Sequence, residues 1–366
     1  MIKYKIDNFR EGGPMPKESM TPKERWEAVL RRKKPDRLPM DYWATTETNE
    51  KLMRYLSCSS LEEVYRRLHI DRPVSVSPVY IGPKLEENTD IYGIRYRNIE
   101  YGGGVYSESI YHPLAQYQTV EEIEKNYVWP SVDWFDYRVI PNQLKGKEEY
   151  PVQGGGSEPF LIYKDLRGQE QAFMDLILNP EIVDYCLDKL FDFCYENTLR
   201  IYEQIPGRIT FSYIAEDMGA ETDLMYSPEQ IRRFLLPRMK RMIDLAHEAG
   251  VYAFHHNDGA IRRILPDLIG IGIDILNPIQ WRCKGMEREG LKRDFGDKLI
   301  FHGGVDNQYT LAFGSEEEVK KEVIENIKIL GYDGGYIIAP CHNIQSVSPP
   351  ENIVAMYETG YEYGFF

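Results

Sequence analysis

No run of apolar residues in this sequence approaches the roughly eighteen that a membrane-spanning helix requires. The opening stretch, MIKYKIDNFREGGPMPKES, has no apolar core of the kind a secretory signal carries. The five cysteines (Cys58, Cys186, Cys194, Cys283 and Cys341) lie far apart with no CxxC pair, which excludes a disulfide framework and a zinc ribbon and points to a reducing compartment. Positive charge is also in short supply. Lys and Arg number 44 against 58 Asp and Glu, for a net charge of −14, so nucleic acid and anionic membrane are excluded as partners. Together these absences describe a cytoplasmic protein. No glycine-rich phosphate fingerprint follows the first expected strand, where the chain reads ATTETNEK, and this argues against an open dinucleotide-binding sheet.

What the chain does have is core material, with 42% hydrophobic and 13% aromatic residues, and a repeating strand–helix rhythm. Strands are expected at Arg37–Ala44, Asp71–Pro78, within Pro151–Phe160, and at Arg208–Ile214. Four more are expected at Val251–Asp258, Ile273–Ile279, Leu299–Val305 and Gly335–Ala339. Helical signals follow each. Thr21-Pro22 with Glu24 forms a capping box, Asn179-Pro180 opens a helix to about Gln204, and Ser227-Pro228-Glu229 opens one reaching Gly250. Ala260–Gly272 carries apolar residues at helical spacing. Eight strands each followed by a helix predict an α/β fold, a single (β/α)8 TIM barrel. Residues 1–20 read as an N-terminal arm and residues 21–366 as the barrel. A tyrosine-rich β-hairpin insertion after the second strand spans about residues 80–118, with strands Ile91–Ile99 and Gly104–Tyr111 around Tyr101-Gly102-Gly103.

In such a barrel the strand C-termini converge on one mouth. The residues expected there are Glu158, Glu216 and Asp217, then His255, His256 and Asp258, then Gln280, Asp306, Cys341 and His342. His256, Asp258 and His342 can supply two imidazoles and a carboxylate to a divalent ion, a set that suits catalytic Zn²⁺ and equally Fe²⁺. Cys341 competes with His342 for the last position. Glu216, Asp217 and His255 are the candidate catalytic groups, with either acid able to ligate or to orient an imidazole. Glu158, Gln280, Asp306, Cys341 and Tyr213 are candidate substrate contacts, and Trp43 and Tyr80 are further aromatics available to a pocket. In the fourth strand, RITFSYI, inward placement of Thr210, Ser212 and Ile214 would carry Glu216 toward the mouth and Asp217 away from it.

The sequence resembles the uroporphyrinogen decarboxylase superfamily over nearly its whole length from Thr21. The resemblance is carried by Leu166-Arg167-Gly168, by Glu216-Asp217 with Ser227-Pro228-Glu229, and by FHHNDGAIRRILPDLIGIGIDILNPIQ. HGGVDNQYTLAFGSEEEV and IIAPCHNIQSVSPPENI complete it. It implies a TIM barrel with its site at the strand C-termini. One branch of the superfamily decarboxylates uroporphyrinogen without a metal, gripping it with an arginine-rich segment after the first strand. Here that place, ATTETNEKLMRY, holds only Lys51 and Arg54 as basic residues. The other branch is similar to corrinoid-dependent methyltransferases, which bind zinc by His-x-Cys and a further cysteine after the eighth strand. His256 matches that histidine, Asp258 falls at the first cysteine and His342 at or beside the second. The resemblance therefore implies a zinc-dependent transfer of a methyl group between a small O- or N-methylated substrate, or a thiol, and a methylcobalamin-type corrinoid carried on a partner protein. Replacement of thiolates by harder ligands weighs against the thiol. The alternatives are a uroporphyrinogen decarboxylase-type decarboxylase and a non-catalytic barrel that binds a small ligand. A homodimer is compatible with either branch.

Overall fold

The computed structural model describes residues 17–101 and 104–366. Most of the expected arm, residues 1–16, and the hairpin tip Gly102-Gly103 lie outside the described residues. Seven strands pair in parallel and in chain order: Val74–Val76 (β1), Val152–Ser157 (β2), Phe211–Ile214 (β3), Tyr252–His256 (β4), Ile275–Asn277 (β5), Ile300–Val305 (β6) and Tyr336–Pro340 (β7). Helices cover the outer face of this curled sheet. Every residue of β6 and β7 is buried, as in a strand covered on both faces, and β7 reads as a near-continuous apolar run. No described helix is long and apolar enough to cross a membrane.

The expected first strand closes the curl. Asp41 N–H donates to the Ile338 carbonyl (2.8 Å), Ile338 N–H donates to the Pro39 carbonyl (2.9 Å), and on the other side Asp71 N–H donates to the Met40 carbonyl (2.7 Å). Met40 and Ala44 make isolated parallel bridges to Ile338 and Ile344 rather than a continuous ladder. Pro39 has no N–H to offer, which is reason enough for the interruption. The (β/α)8 arrangement is therefore present as seven regular strands and one irregular one.

Local chemistry moved several expected boundaries. The helix expected from Ser227 to Gly250 runs as Pro228–Gln230, a π-turn over Ile231–Leu235, and Leu236–Glu248. Pro237 removes the N–H that a regular helix would use there. The helix expected over Ala260–Gly272 is confined to Leu265–Ile271, with Pro266 in its first turn. The hairpin strands are Arg95–Tyr101 and Gly104–Tyr111. Residues 91–94 are instead held in a turn by the Asp90 carboxylate, which accepts from the N–H groups of Tyr92 and Ile94.

Two cores result. The larger lies between sheet and helices. The smaller fills the barrel and is built from Trp26, Val29, Leu30, Phe211, Phe254, Ile275, Ile300 and Ile337. Trp26, on helix Pro22–Leu30, stacks on Phe211 (5.3 Å, 10°) and donates through Nε1 to the Asp71 carbonyl (2.9 Å), so this helix stoppers one end of the barrel. Its neighbour Arg25 bridges Asp71 and Asp36, and Arg37 also pairs with Asp71. Replacing Trp26 by Ala should leave a cavity under the aromatic stack and cost about 3–5 kcal/mol of stability, the usual range for deleting a buried aromatic. Urea unfolding followed by fluorescence and circular dichroism checks this; a loss below about 1 kcal/mol would show that the stopper carries little of the packing.

Candidate metal centre at the barrel mouth

Period-two alternation along β4 splits the histidine pair. His256 faces the barrel interior, where its ring stacks on Tyr213 (5.7 Å, 28°). His255 faces the opposite side. It is fully buried, with Nδ1 on the Ile214 carbonyl (2.8 Å) and Nε2 met by Asn257 Nδ2 (3.3 Å). Burial pushes its pKa down to about 4. The structure therefore does not bring His255 to the mouth, because an adjacent residue on a strand must point the other way.

His256 Nε2 lies 3.8 Å from Asp258 Oδ1 and 3.8 Å from Asp217 Oδ1. The His342 ring, carried on the turn after β7, sits with its centroid 5.7 Å from that of His256. Ligand atoms of His256, Asp258 and His342 all fall within 4.8 Å of one another. Four-coordinate bonds of 2.0–2.2 Å to one ion place donors about 3.3–3.6 Å apart, so the widest of these separations must close by about an ångström through side-chain rotation. Asp258 Oδ1 is a buried oxygen with no hydrogen-bond partner. A buried acceptor left bare costs on the order of 1–3 kcal/mol unless something fills it. Burial raises the Asp258 pKa, while the two imidazoles oppose the shift. Two imidazole nitrogens and a carboxylate with one unmatched oxygen fit a divalent cation, with zinc or iron satisfying the donor set equally.

Two loops fix this geometry. Asp217 Oδ1 accepts from the Asp258 N–H (2.9 Å). A side-chain carbon on Gly219 would lie 2.5 Å from the Asp258 carbonyl oxygen, and one on Gly259 would lie 2.6 Å from Gly219. Gly259 also has φ +86°, so glycine is required on both counts. Gln280 Oε1 accepts from the Gly259 N–H (2.6 Å) and pins the turn.

The strand phase expected for the acid pair is reversed. Phe211 and Tyr213 face the interior, where both stack on Phe254. The Ser212 hydroxyl instead bonds Tyr202 of helix Pro180–Gln204 and the Gly154 carbonyl. Aromatics occupy the interior positions that the expectation gave to small residues, and the stopper Trp26 extends their stack. One residue of phase carries through to the strand end. Asp217 is therefore the acid beside His256. Glu216 is buried and accepts from the Phe160 N–H (3.0 Å) at the start of helix Pro159–Arg167, and burial holds its pKa well above the usual range.

Other expected residues fall into two groups. Glu158, at the end of β2, is pushed up to about 7 by burial and by the neighbouring Asp217. Asp258, His342, Gln280, Glu221, Asn307 and Tyr309 line a cleft of about 560 Å³. Asp306 is committed elsewhere, its carboxylate accepting from Arg282 Nε (2.6 Å) and from the N–H groups of Gln308 and Thr310. Cys341 donates its thiol to the Ile279 carbonyl (3.3 Å), and burial pushes its pKa well up, so it is neither thiolate nor ligand-facing. Tyr80 packs on Trp134 and Phe135 in a small antiparallel pair.

Three residues outside the expected set join the site from below. His256 Nδ1 lies 2.6 Å from Asn277 Oδ1, Asn277 Nδ2 lies 2.7 Å from His302 Nδ1, and His302 Nε2 lies 3.0 Å from Asp41 Oδ2. Their signal was available. Each is a polar residue inside a segment otherwise apolar enough to be a buried strand.

The family model for uroporphyrinogen decarboxylase (URO-D) matches residues 137–363, more than half of the chain. No curated protein matches it. Among solved structures, a methyltransferase from Methanosarcina mazei superposes on 93% of this chain and 98% of its own, with a TM-score of 0.66 at 19% identity, a likeness of fold. A GH10 endoxylanase retrieved from a sugarcane soil metagenome aligns over 60% of this chain and 91% of its own (TM-score 0.34, 10% identity). A D-tagatose 3-epimerase-like protein aligns over 67% and 92% (0.30, 15%). Both are too loose to inform the site.

Glu158 gives this geometry a pH signature. In the unfolded chain its carboxyl ionises near 4.5 and in the folded chain near 7. Between those values the unfolded chain gives up a proton that the folded chain keeps, so this residue's contribution to stability falls as pH rises through the window and is flat above it. Stability of the parent minus that of Glu158→Gln, measured by urea unfolding from pH 4.5 to 8, should fall across the window. Parallel curves would show that Glu158 ionises normally.

Proposed function

The chain belongs to the uroporphyrinogen decarboxylase family, and from that premise we propose that it is a metal-dependent methyltransferase. In this reading it moves a methyl group from a small O- or N-methylated donor to a corrinoid carried by a separate protein. The observation that carries the reading is the group His256, Asp258 and His342, gathered from two strand ends onto one cleft with a bare, buried Asp258 oxygen among them. The same fold in the Methanosarcina mazei methyltransferase is consistent with it.

His256, Asp258 and His342 would hold the ion, zinc being the cation that the family resemblance favours. When bound, it supplies Lewis acidity that draws off charge from the heteroatom losing its methyl group. Everything else is done by the chain's own side chains. Trp43 and Tyr213 present aromatic faces beside His256, 5.9 and 5.7 Å from its ring, and wall off one side of the site from water. Asp217 braces the Asp258 main chain and leaves its second oxygen for the donor or for a water. Glu158, half-protonated near pH 7, holds the proton that a departing alkoxide or amine requires. The decarboxylase alternative needs cations to hold a polycarboxylate. None of the residues lining the cleft is Arg or Lys.

Replacing His256 by Ala removes one donor without touching the sheet hydrogen bonds. Metal analysis of untagged protein should fall from about one zinc per chain to below about a tenth, with methylation of free cob(I)alamin from methoxy- or methylamino-compounds lost, and urea unfolding should still show a cooperatively folded barrel, less stable by about 1–3 kcal/mol because the buried Asn277 oxygen loses its partner. Parent protein that binds no divalent ion, or a variant that binds zinc as tightly as the parent, would overturn the proposal.

A further inference from the structure

We infer that Asn277, His302 and Asp41 are positioning residues that hold His256 in its Nδ1–H tautomer and turn its Nε2 lone pair toward Asp258 and Asp217. Only the use made of that lone pair rests on the metal reading above; the tautomer itself does not.

The direction of the hydrogen bonds follows from the end of the chain farthest from the mouth. Asp41 is buried, and both its oxygens meet groups that can only donate. Oδ1 accepts from the Tyr42 N–H (2.8 Å) and Oδ2 from Trp43 Nε1 (2.9 Å). A carboxylate so placed accepts from His302 as well, so the hydrogen of a neutral His302 sits on Nε2 and its Nδ1 is an acceptor. Asn277 must then offer its amide N–H to His302, which leaves its carbonyl oxygen for His256. An amide oxygen accepts, so His256 Nδ1 carries the hydrogen and Nε2 keeps a free lone pair. With His302 neutral, each link has one allowed polarity once Asp41 is fixed.

His302, Asn277 and His256 come from the successive strands β6, β5 and β4, and Asp41 reaches His302 across the barrel interior from the closing segment on the far side of β7. All are at least 96% buried, so water has little opportunity to substitute for any partner. Trp43 clamps the far end while its ring covers His256 and His302 at 5.9 and 5.6 Å. Without the chain, His256 could carry its hydrogen on Nε2, and that nitrogen could ligate nothing.

The test reads the tautomer directly and needs no metal. Metal-free protein labelled with ¹⁵N-histidine, which contains seven histidines, is examined at about pH 8, where an ordinary histidine is neutral. Long-range ¹H–¹⁵N correlation, with His256→Ala as the assignment control, should show His256 as Nδ1–H. Asn277→Leu should lose that signature and weaken zinc affinity about 10–100-fold, measured by competition with a chromophoric chelator. Asp41→Asn, which can present a donor to His302, should do the same to a lesser degree. His256 found as Nε2–H in the parent would overturn the inference, as would Asn277→Leu with parental spectrum and affinity. Should Asn277→Leu not fold, the parent spectrum still decides. A parent that shows Nδ1–H but binds no zinc supports the positioning while removing the metal reading, so the two fail separately.

Discussion

A carboxylate buried inside an aromatic barrel is the constraint on which the rest of this structure turns. Asp41 sits where an unpaired charge would be intolerable, and the fold surrounds it with donors: Trp43 Nε1, the Tyr42 N–H and His302 Nε2. The first two belong to the same segment, but His302 can meet Asp41 only if the segment containing Met40 and Asp41 is docked between the last strand and β1. Closing the barrel and anchoring the polar chain are thus one event, achieved by the same few residues. Tyr357, on the last helix, donates to the Asp41 carbonyl (2.7 Å) and ties the C-terminal layer to the same point.

From that anchor the interior is organised in two materials. Trp26, Phe211 and Phe254 stack on one side, while His302 and Asn277 thread hydrogen bonds past them toward His256. The aromatic side excludes water and so keeps the polar side directional, because no solvent can reverse a bond's polarity. At the mouth the order changes. Loops held together at Gly219 and Gly259 present Asp217 and Asp258, which share the vicinity of His256 Nε2 and face the cleft with His342. Rigid strands deliver the imidazole and shaped loops deliver the acids, a division familiar from sites at the C-terminal ends of barrel strands.

Much of this was legible in the sequence, and the reasons for the exceptions are physical. Strand positions and the convergence of His256, Asp258 and His342 followed from periodicity, since ends of parallel strands must meet. The acid pair did not. Glu216 and Asp217 differ only by strand phase, and the phase of RITFSYI depends on whether aromatics or small polar residues fill the barrel, which one strand cannot disclose. His255 beside His256 posed the same question, and alternation answered it once His256 was known to face inward. Asp41, Asn277 and His302 are single polar residues in otherwise apolar segments, and spacing alone does not say that three such residues, far apart in sequence, bond one another inside the barrel. Cys341 and Asp306 sit at strand ends as expected, yet the Ile279 carbonyl takes the thiol and Arg282 with a turn of backbone amides takes the carboxylate. Sequence spacing places residues at the mouth but does not say which way each has already been satisfied.

The central claim is that the barrel delivers one lone pair and two flanking groups to a single point. Crystals of the zinc-loaded protein, measured above and below the zinc absorption edge, test it most directly. The account predicts one anomalous peak per chain, about 2.0–2.2 Å from His256 Nε2, an Asp258 carboxylate oxygen and a His342 ring nitrogen. A peak bound through His256 Nδ1, a peak that omits two of these three residues, or no peak at saturating zinc would contradict it.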